Sequence, residues 1–114
     1  MSKRKTRLTP RENKALAEFA GRVRQTLRKN LASMRLFGSK ARGDSRKDSD
    51  VDVLVSVHRL SSEIKSRVID IAFDIDLEYG VNISPRVVSH RIFSARVWRI
   101  TPFVKNIKEE GILL

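Results

Sequence analysis

The sequence predicts an α/β (α+β) domain: a small mixed β-sheet with helices packed on it, in the order α-β-β-α-β-α. Three observations carry that expectation. Apolar residues recur at helical spacing in two separate segments, the run VDVLVSV at 51–57 is β-branched and alternating, and Gly, Pro and Ser clusters punctuate the chain between them. A chain of 114 residues has room for one domain with a modest core. The expected division is a flexible basic arm over 1–8 and a single domain over 9–114.

The arm carries Lys3, Arg4, Lys5 and Arg7 with almost no apolar content. Thr9-Pro10-Arg11-Glu12 then reads as a helix start, with Thr9 as cap, Pro10 at the first helical position and Glu12 placed to reach back to a free backbone N–H. Leu16, Phe19, Ala20, Val23 and Leu27 give that helix one apolar face. Met34 to Phe37 is a short strand ending at Gly38, and Lys40 to Ser49 is polar enough to be a loop. Val51 to Val57 is the clearest strand, and Asp52 is its one charge, costly there unless paired or bound to metal. Ser61 or Ser62 caps a second helix whose core face is Ile64, Val68, Ile71, Ala72 and Ile75, stopping at Tyr79-Gly80. Val81 to Val88 reads as a third strand, and Pro85 assigns it to an edge or a bulge. The segment 90–100 has no clear period. Thr101-Pro102 repeats the helix-start signal with a glycine stop at Gly111, and the apolar tail Ile112-Leu113-Leu114 must fold back or meet a partner.

Composition bounds the function. No apolar run is long enough to span a bilayer, and the basic N-terminus lacks the apolar stretch of a secretory signal, so the expected compartment is the cytoplasm. The absence of cysteine removes zinc-finger, iron–sulfur and disulfide-scaffold readings. A formal charge of +11 points to a polyanionic partner, yet 6% aromatic residues with no cluster among the cations argues against a base-stacking platform. His58 and His90 have no second ligand at useful spacing, and Phe93, Trp98 and Phe103 read as core.

The chemistry concentrates in GSKARGDSRKDSDVD, Gly38 to Asp52. Asp50 and Asp52 lie two apart at the start of a strand, so their side chains share a face about 7 Å apart at the backbone. Such a pair suits Mg²⁺, which takes one or two carboxylates together with phosphate oxygens and water. Two ions about 3.5 to 4 Å apart would clamp an in-line phosphoryl displacement. Gly38, lacking a side chain, lets a triphosphate approach the backbone, and Ser39 can donate to phosphate oxygens. Lys40, Arg42, Arg46 and Lys47 supply cations, Arg42 with a bidentate fork. Other motifs fail on spacing. Gly38-x-x-x-x-Gly43 is followed by Asp44-Ser45, with Asp where a P-loop needs Lys, and Asp48-x-Asp50-x-Asp52 meets Val53 where a calcium loop needs glycine. The triplet Arg42-Gly43-Asp44 has no secreted context.

LFGSKARGDSRKDSDVDVLV resembles the Gly-Ser, ten residues, Asp-x-Asp pattern of minimal nucleotidyltransferases of the DNA polymerase beta-like superfamily, across Leu36 to Val55. The resemblance implies the nucleotidyltransferase fold. It makes Gly38 and Ser39 nucleotide-binding, joined by Lys40 and Arg42 as cations suited to the phosphates, and Asp50 and Asp52 both catalytic and ligands of one or two Mg²⁺ ions. It further implies that AMP passes from ATP, or another nucleoside triphosphate, to a hydroxyl on a protein partner, a HEPN-type toxin. One departure stands out. The family's third carboxylate belongs on the strand after the second helix, where this chain reads Val81-Asn82-Ile83-Ser84-Pro85-Arg86-Val87. Asn82, Ser84 and Arg86 share a face there, so a neutral or cationic group takes its place. Asp70, Asp74, Asp76 and Glu78 lie on the helix and read as a solvated face. Two other functions stay open on these residues: an antitoxin or regulatory subunit that acts by binding alone, and a nucleic-acid-binding module using the basic arm.

Overall fold

The structure, a computed structural model, describes residues 8–38, 40, 50–94 and 111–114. The first helix, α1 (Pro10–Leu27), begins as its sequence signal requires. Glu12 N–H donates to Thr9 Oγ1 at 3.1 Å and Thr9 N–H to Glu12 Oε1 at 3.0 Å, which satisfies two otherwise orphaned donors reciprocally. A 3-10 turn, Arg28–Asn30, leads into β1 (Leu31–Phe37). Asn30 fastens this turn to the segment just after the strand at Val51–Val57: its Oδ1 accepts from Arg59 N–H at 2.7 Å and its Nδ2 donates to Arg59 O at 3.0 Å.

Strand β2 (Val51–Val57) continues into α2 (Ser62–Tyr79), capped by Ser61 Oγ accepting from Ile64 N–H at 3.1 Å and ended by Gly80 at φ 65°. That left-handed angle costs glycine little and a side-chain-bearing residue more. Strand β3 (Ile83–Ser89) and a helical turn, α3 (His90–Phe93), follow, and β4 (Ile112–Leu113) comes from the tail. The sheet order is β3-β2-β1-β4. β3 runs parallel to β2, with α2 as the crossover, while β1 is antiparallel to β2 and β4 antiparallel to β1. Pro85 sits on the edge strand β3, where its missing N–H costs no ladder bond on the open side.

The two faces of the sheet differ. Val51, Val53, Val55 and Val57 of β2 join Met34 and Leu36 of β1, Ile83 of β3 and the apolar faces of α1 and α2 in the main core. The other face sets Leu54 against Phe93, with Phe37 and Val88 beside them. β2 is thus buried on both sides, which its near-continuous apolar run reflects.

Several boundaries move from the sequence reading. β1 begins at Leu31 rather than Met34, β3 covers Ile83–Ser89 rather than 81–88, and the segment without a clear period opens with the α3 turn. The apolar tail folds back: Leu114 N–H donates to Met34 O at 2.9 Å, and Ile112 and Leu114 pack on the main core. Phe93 is buried as expected. The basic arm up to Arg7, the helix expected from Thr101, Trp98 and Phe103 lie outside the described residues.

Candidate functional site

The hairpin-like pairing of β1 with β2 joins the two halves of the Gly38-to-Asp52 motif. Phe37 is the register partner of Asp52, so Gly38 emerges beside the Asp52 side chain although 14 positions separate them in sequence. The contact is tight. Gly38 has φ 76°, and a Cβ placed on it would stand 2.5 Å from Asp52 Oδ2. Two independent constraints, the backbone angle and the carboxylate, therefore demand glycine.

Asp50 and Asp52 occupy the N-terminal end of β2 on the face opposite α1 and α2, Asp50 exposed and Asp52 half-buried. Asp50 is oriented from β3: Asn82 Nδ2 donates to its Oδ1, and Asn82 O accepts from Val51 N–H at 2.9 Å. Asn82 therefore grips both the backbone and the side chain at the point where the motif enters the sheet. Ser84 is the register partner of Asp52, and Arg86 that of Leu54. Paired residues of adjacent strands share a face, so Asn82, Ser84 and Arg86 form the row beside the carboxylates.

Asp76, expected on a solvated helix face, sits elsewhere. It is half-buried at the end of α2, and its Oδ1 accepts from Ile83 N–H at 2.8 Å, capping the first residue of β3. Burial raises its pKa above the ordinary carboxylate value, opposed by the Ile83 hydrogen bond and reinforced by the negative charge of Asp50. A third carboxyl thus stands within electrostatic reach of the pair, arriving from the helix and not from β3.

Lys40, expected to bind nucleotide, lies against α1. Its side chain is 0% exposed, and Nζ donates to Glu12 Oε1 at 3.1 Å, an oxygen that also accepts the Thr9 cap bond. Its charge is directed at the N-terminus of α1, so it anchors the start of the motif loop to that helix. Lys40 has helical backbone, and of the loop expected over Lys40 to Ser49 only Lys40 is among the described residues. Ser39, Arg42, Arg46 and Lys47 lie outside the described residues.

At the opposite end of β2 the structure brings together two histidines that the sequence reading set aside. The rings of His58 and His90 stand edge to face with centroids 5.5 Å apart, and His90 Nδ1 lies 3.4 Å from Ser56 Oγ. They are far along the strand from Asp50 and take no part in the motif. Two features of the site itself were missed from sequence. Asn82 was placed on the right face without its bond to Asp50, and Asp76 was left to solvent. The only local signal for Asp76 was its position four residues before the Gly80 stop.

The site's donor set is compatible with a divalent ion of the Mg²⁺ kind. Two carboxylates on one strand face offer the hard oxygen ligands that such an ion takes, with the Asp52 carboxylate seated against Gly38. Among the described residues no three His, Asp or Glu side chains converge into an all-protein cage.

Comparisons with known proteins bear on the family and the fold. The family model described as a nucleotidyltransferase domain matches residues 16–114. Two proteins of Methanocaldococcus jannaschii, each bearing the name "Putative protein adenylyltransferase", are 35% and 33% identical over 104 and 98 residues. The first alignment covers 90% of this chain and 97% of the relative, the second 85% and 92%. A solved structure titled a "putative minimal nucleotidyltransferase" superposes with a TM-score of 0.56 at 25% identity, covering 90% of this chain and 94% of that one. A mutant toxin-antitoxin complex, MntA-HpeT, superposes at a TM-score of 0.51 and 17% identity over 86% of this chain and 69% of the other, a likeness of fold.

Proposed function

The chain belongs to the nucleotidyltransferase domain family, and from that premise we propose that it transfers AMP from ATP to a hydroxyl group of a protein partner. The observation that carries this reading is the packing of Gly38 against Asp52, which seats one carboxylate of the pair directly on the glycine that ends β1. The relatives' name supports the protein acceptor, the toxin-antitoxin title of the more distant neighbour is in keeping with a toxin in that place, and the HEPN type is what the family resemblance implies. Within the described residues no helix is long and apolar enough to cross a membrane.

In the proposed reaction an acceptor oxygen attacks the α-phosphorus of ATP, the bond from that phosphorus to the bridging oxygen breaks, pyrophosphate leaves and the hydroxyl proton passes to water. Mg²⁺ held by Asp50 and Asp52 would neutralise charge on the phosphates and on the leaving pyrophosphate. Gly38 admits the phosphates to the backbone, with Ser39 and Arg42 as the proposed donors to them. Asn82 holds Asp50 in orientation, which lowers the cost of ordering that carboxylate on binding. Lys40 acts through the loop it anchors, since its ammonium is engaged with Glu12.

The test incubates the chain with α-³²P-labelled ATP, Mg²⁺ and the purified product of the adjacent gene, comparing the wild type with Asp52→Asn. Label on the partner that is lost in the variant is the expected result. A stable complex that never acquires label would sink the enzyme reading. It would favour the second reading, an antitoxin that acts by binding, which the row Asn82-Ser84-Arg86 supports because β3 offers no carboxylate to the site.

A further inference from the structure

Helix α2 has a second apolar stripe that its packing on the sheet does not use. Val68, Ile71, Ala72 and Ile75 face the core, yet Ile69, Phe73 and Leu77 remain 54%, 61% and 71% exposed. They follow one another at intervals of four, so at 3.6 residues per turn they stack along one side of the helix, opposite the buried face. Isolated exposed leucines are ordinary, but three large apolar side chains in one row are the anchor pattern of a helix–helix interface.

Charge narrows the occupant. α2 carries Glu63, Asp70, Asp74, Asp76 and Glu78 against only Lys65 and Arg67, in a chain whose net charge is +11. On the helical wheel Asp70, Asp74 and Glu78 run down one flank of the stripe. Arg67 is tied to Glu63 at 3.0 Å, and Arg22 of α1 reaches Asp74 at 3.5 Å.

A second copy of this chain fits poorly. Antiparallel packing about a two-fold axis would bring the Asp70-Asp74-Glu78 rows of both helices to the same flank, carboxylate against carboxylate. Parallel packing would set that row against Lys65 and Asp76, one cation and one more acid. The outer face of basic α1 carries none of the exposed large apolar side chains, so it offers no complementary stripe.

We infer that the Ile69-Phe73-Leu77 stripe docks an amphipathic helix of a partner protein, one whose apolar row is flanked by Lys and Arg. The C-terminal end of α2 lies at the edge of the sheet that bears the motif, since Asp76 binds Ile83 N–H and feels the charge of Asp50. A partner seated along the stripe lies on the helix layer, and it brings a hydroxyl to the carboxylates on the opposite sheet face by reaching round the end where α2 meets β3. The inference deepens the proposed reading, because it rests on a protein acceptor and names the surface that receives it.

The experiment titrates the purified product of the adjacent gene into the wild type and into Phe73→Ser, Leu77→Ser and Asp70→Lys, by calorimetry at two salt concentrations, with transfer of label followed in parallel. Thermal melts confirm that these exposed substitutions leave the fold intact. Each serine variant is expected to weaken association about tenfold or more, as anchor residues do. Asp70→Lys is expected to weaken it further at low salt than at high salt. Binding that is unchanged in all three variants, or no binding at all, overturns the surface. So does light scattering that shows the wild type alone dimerising through Phe73. Binding lost in the serine variants without label ever appearing would fail the transfer reading and keep the surface. Label transfer indifferent to Phe73 and Leu77 would do the reverse.

Discussion

At the scale of single residues, the site is defined by what Gly38 lacks and by what Asn82 and Asp76 hold. Gly38→Ala must accommodate a Cβ 2.5 Å from Asp52 Oδ2 and a positive φ, a strain of about 1 to 3 kcal/mol from the backbone alone. The expected outcome is a lowered melting temperature together with loss of Mg²⁺-ATP binding by calorimetry, because relief of the clash displaces the carboxylate. Asp76 makes a pH-dependent prediction. Its pKa is raised in the folded state by burial and by Asp50, so the ionised carboxylate opposes folding above that pKa. The cost is present at neutral pH and disappears as pH falls through the raised folded value. Asp76→Asn keeps an oxygen for Ile83 N–H and removes the charge, so it should be at least as stable as the wild type at pH 7. Its advantage should shrink as thermal melts are taken toward pH 4.

At the scale of elements, the ion pair of Lys40 with Glu12 couples the motif to α1. Both side chains are almost wholly buried, at 0% and 10% exposure, so removal of either breaks a buried ion pair. Glu12→Ala should cost about 3 to 5 kcal/mol in chemical denaturation, more than loss of a helix cap alone explains. The double variant Glu12→Gln with Lys40→Met should recover much of that loss, since it removes both charges while leaving a cap acceptor. The two helices are clamped to one another nearby, where Tyr79 Oη–H donates to Glu18 Oε1 at 2.8 Å, a bond that raises the tyrosine pKa. α1 therefore positions the start of the motif and α2 the base of β3, although neither helix contributes a proposed metal ligand.

At the scale of the whole molecule, closure of the sheet depends on the tail. β4 covers the outer edge of β1 through Arg35 and Leu36, and Ile112 and Leu114 pack on the core. Truncation after Gly111 should lower stability by about 2 to 4 kcal/mol, from two partly buried aliphatic side chains and the lost ladder bonds. Light scattering should also show self-association, because an uncovered strand edge is a template for pairing. The remaining whole-molecule feature is charge segregation: the outer face of α2 is acidic and apolar in an otherwise basic chain, and the motif carboxylates lie at the start of β2 on the opposite face of the sheet.

Much of this was legible in the sequence, and the reason is range. The Thr9–Glu12 box, the Ser61 cap, the Gly80 stop and the placement of Pro85 on an edge all depend on neighbours within a few residues, so local sequence specifies them. The Gly38, Asp50 and Asp52 pattern was readable because a glycine and two alternate carboxylates are rare at that spacing in a strand-loop-strand. Only the tertiary structure decided which partner each polar group meets. Lys40 reaches Glu12 across 28 positions and Asn82 reaches Asp50 across 32, and such pairings follow from strand order and helix packing. The stripe Ile69-Phe73-Leu77 belongs to the same class. Its spacing was present in the sequence, but whether it faces core or solvent depends on which side of α2 the sheet occupies, and the sheet occupies the other one.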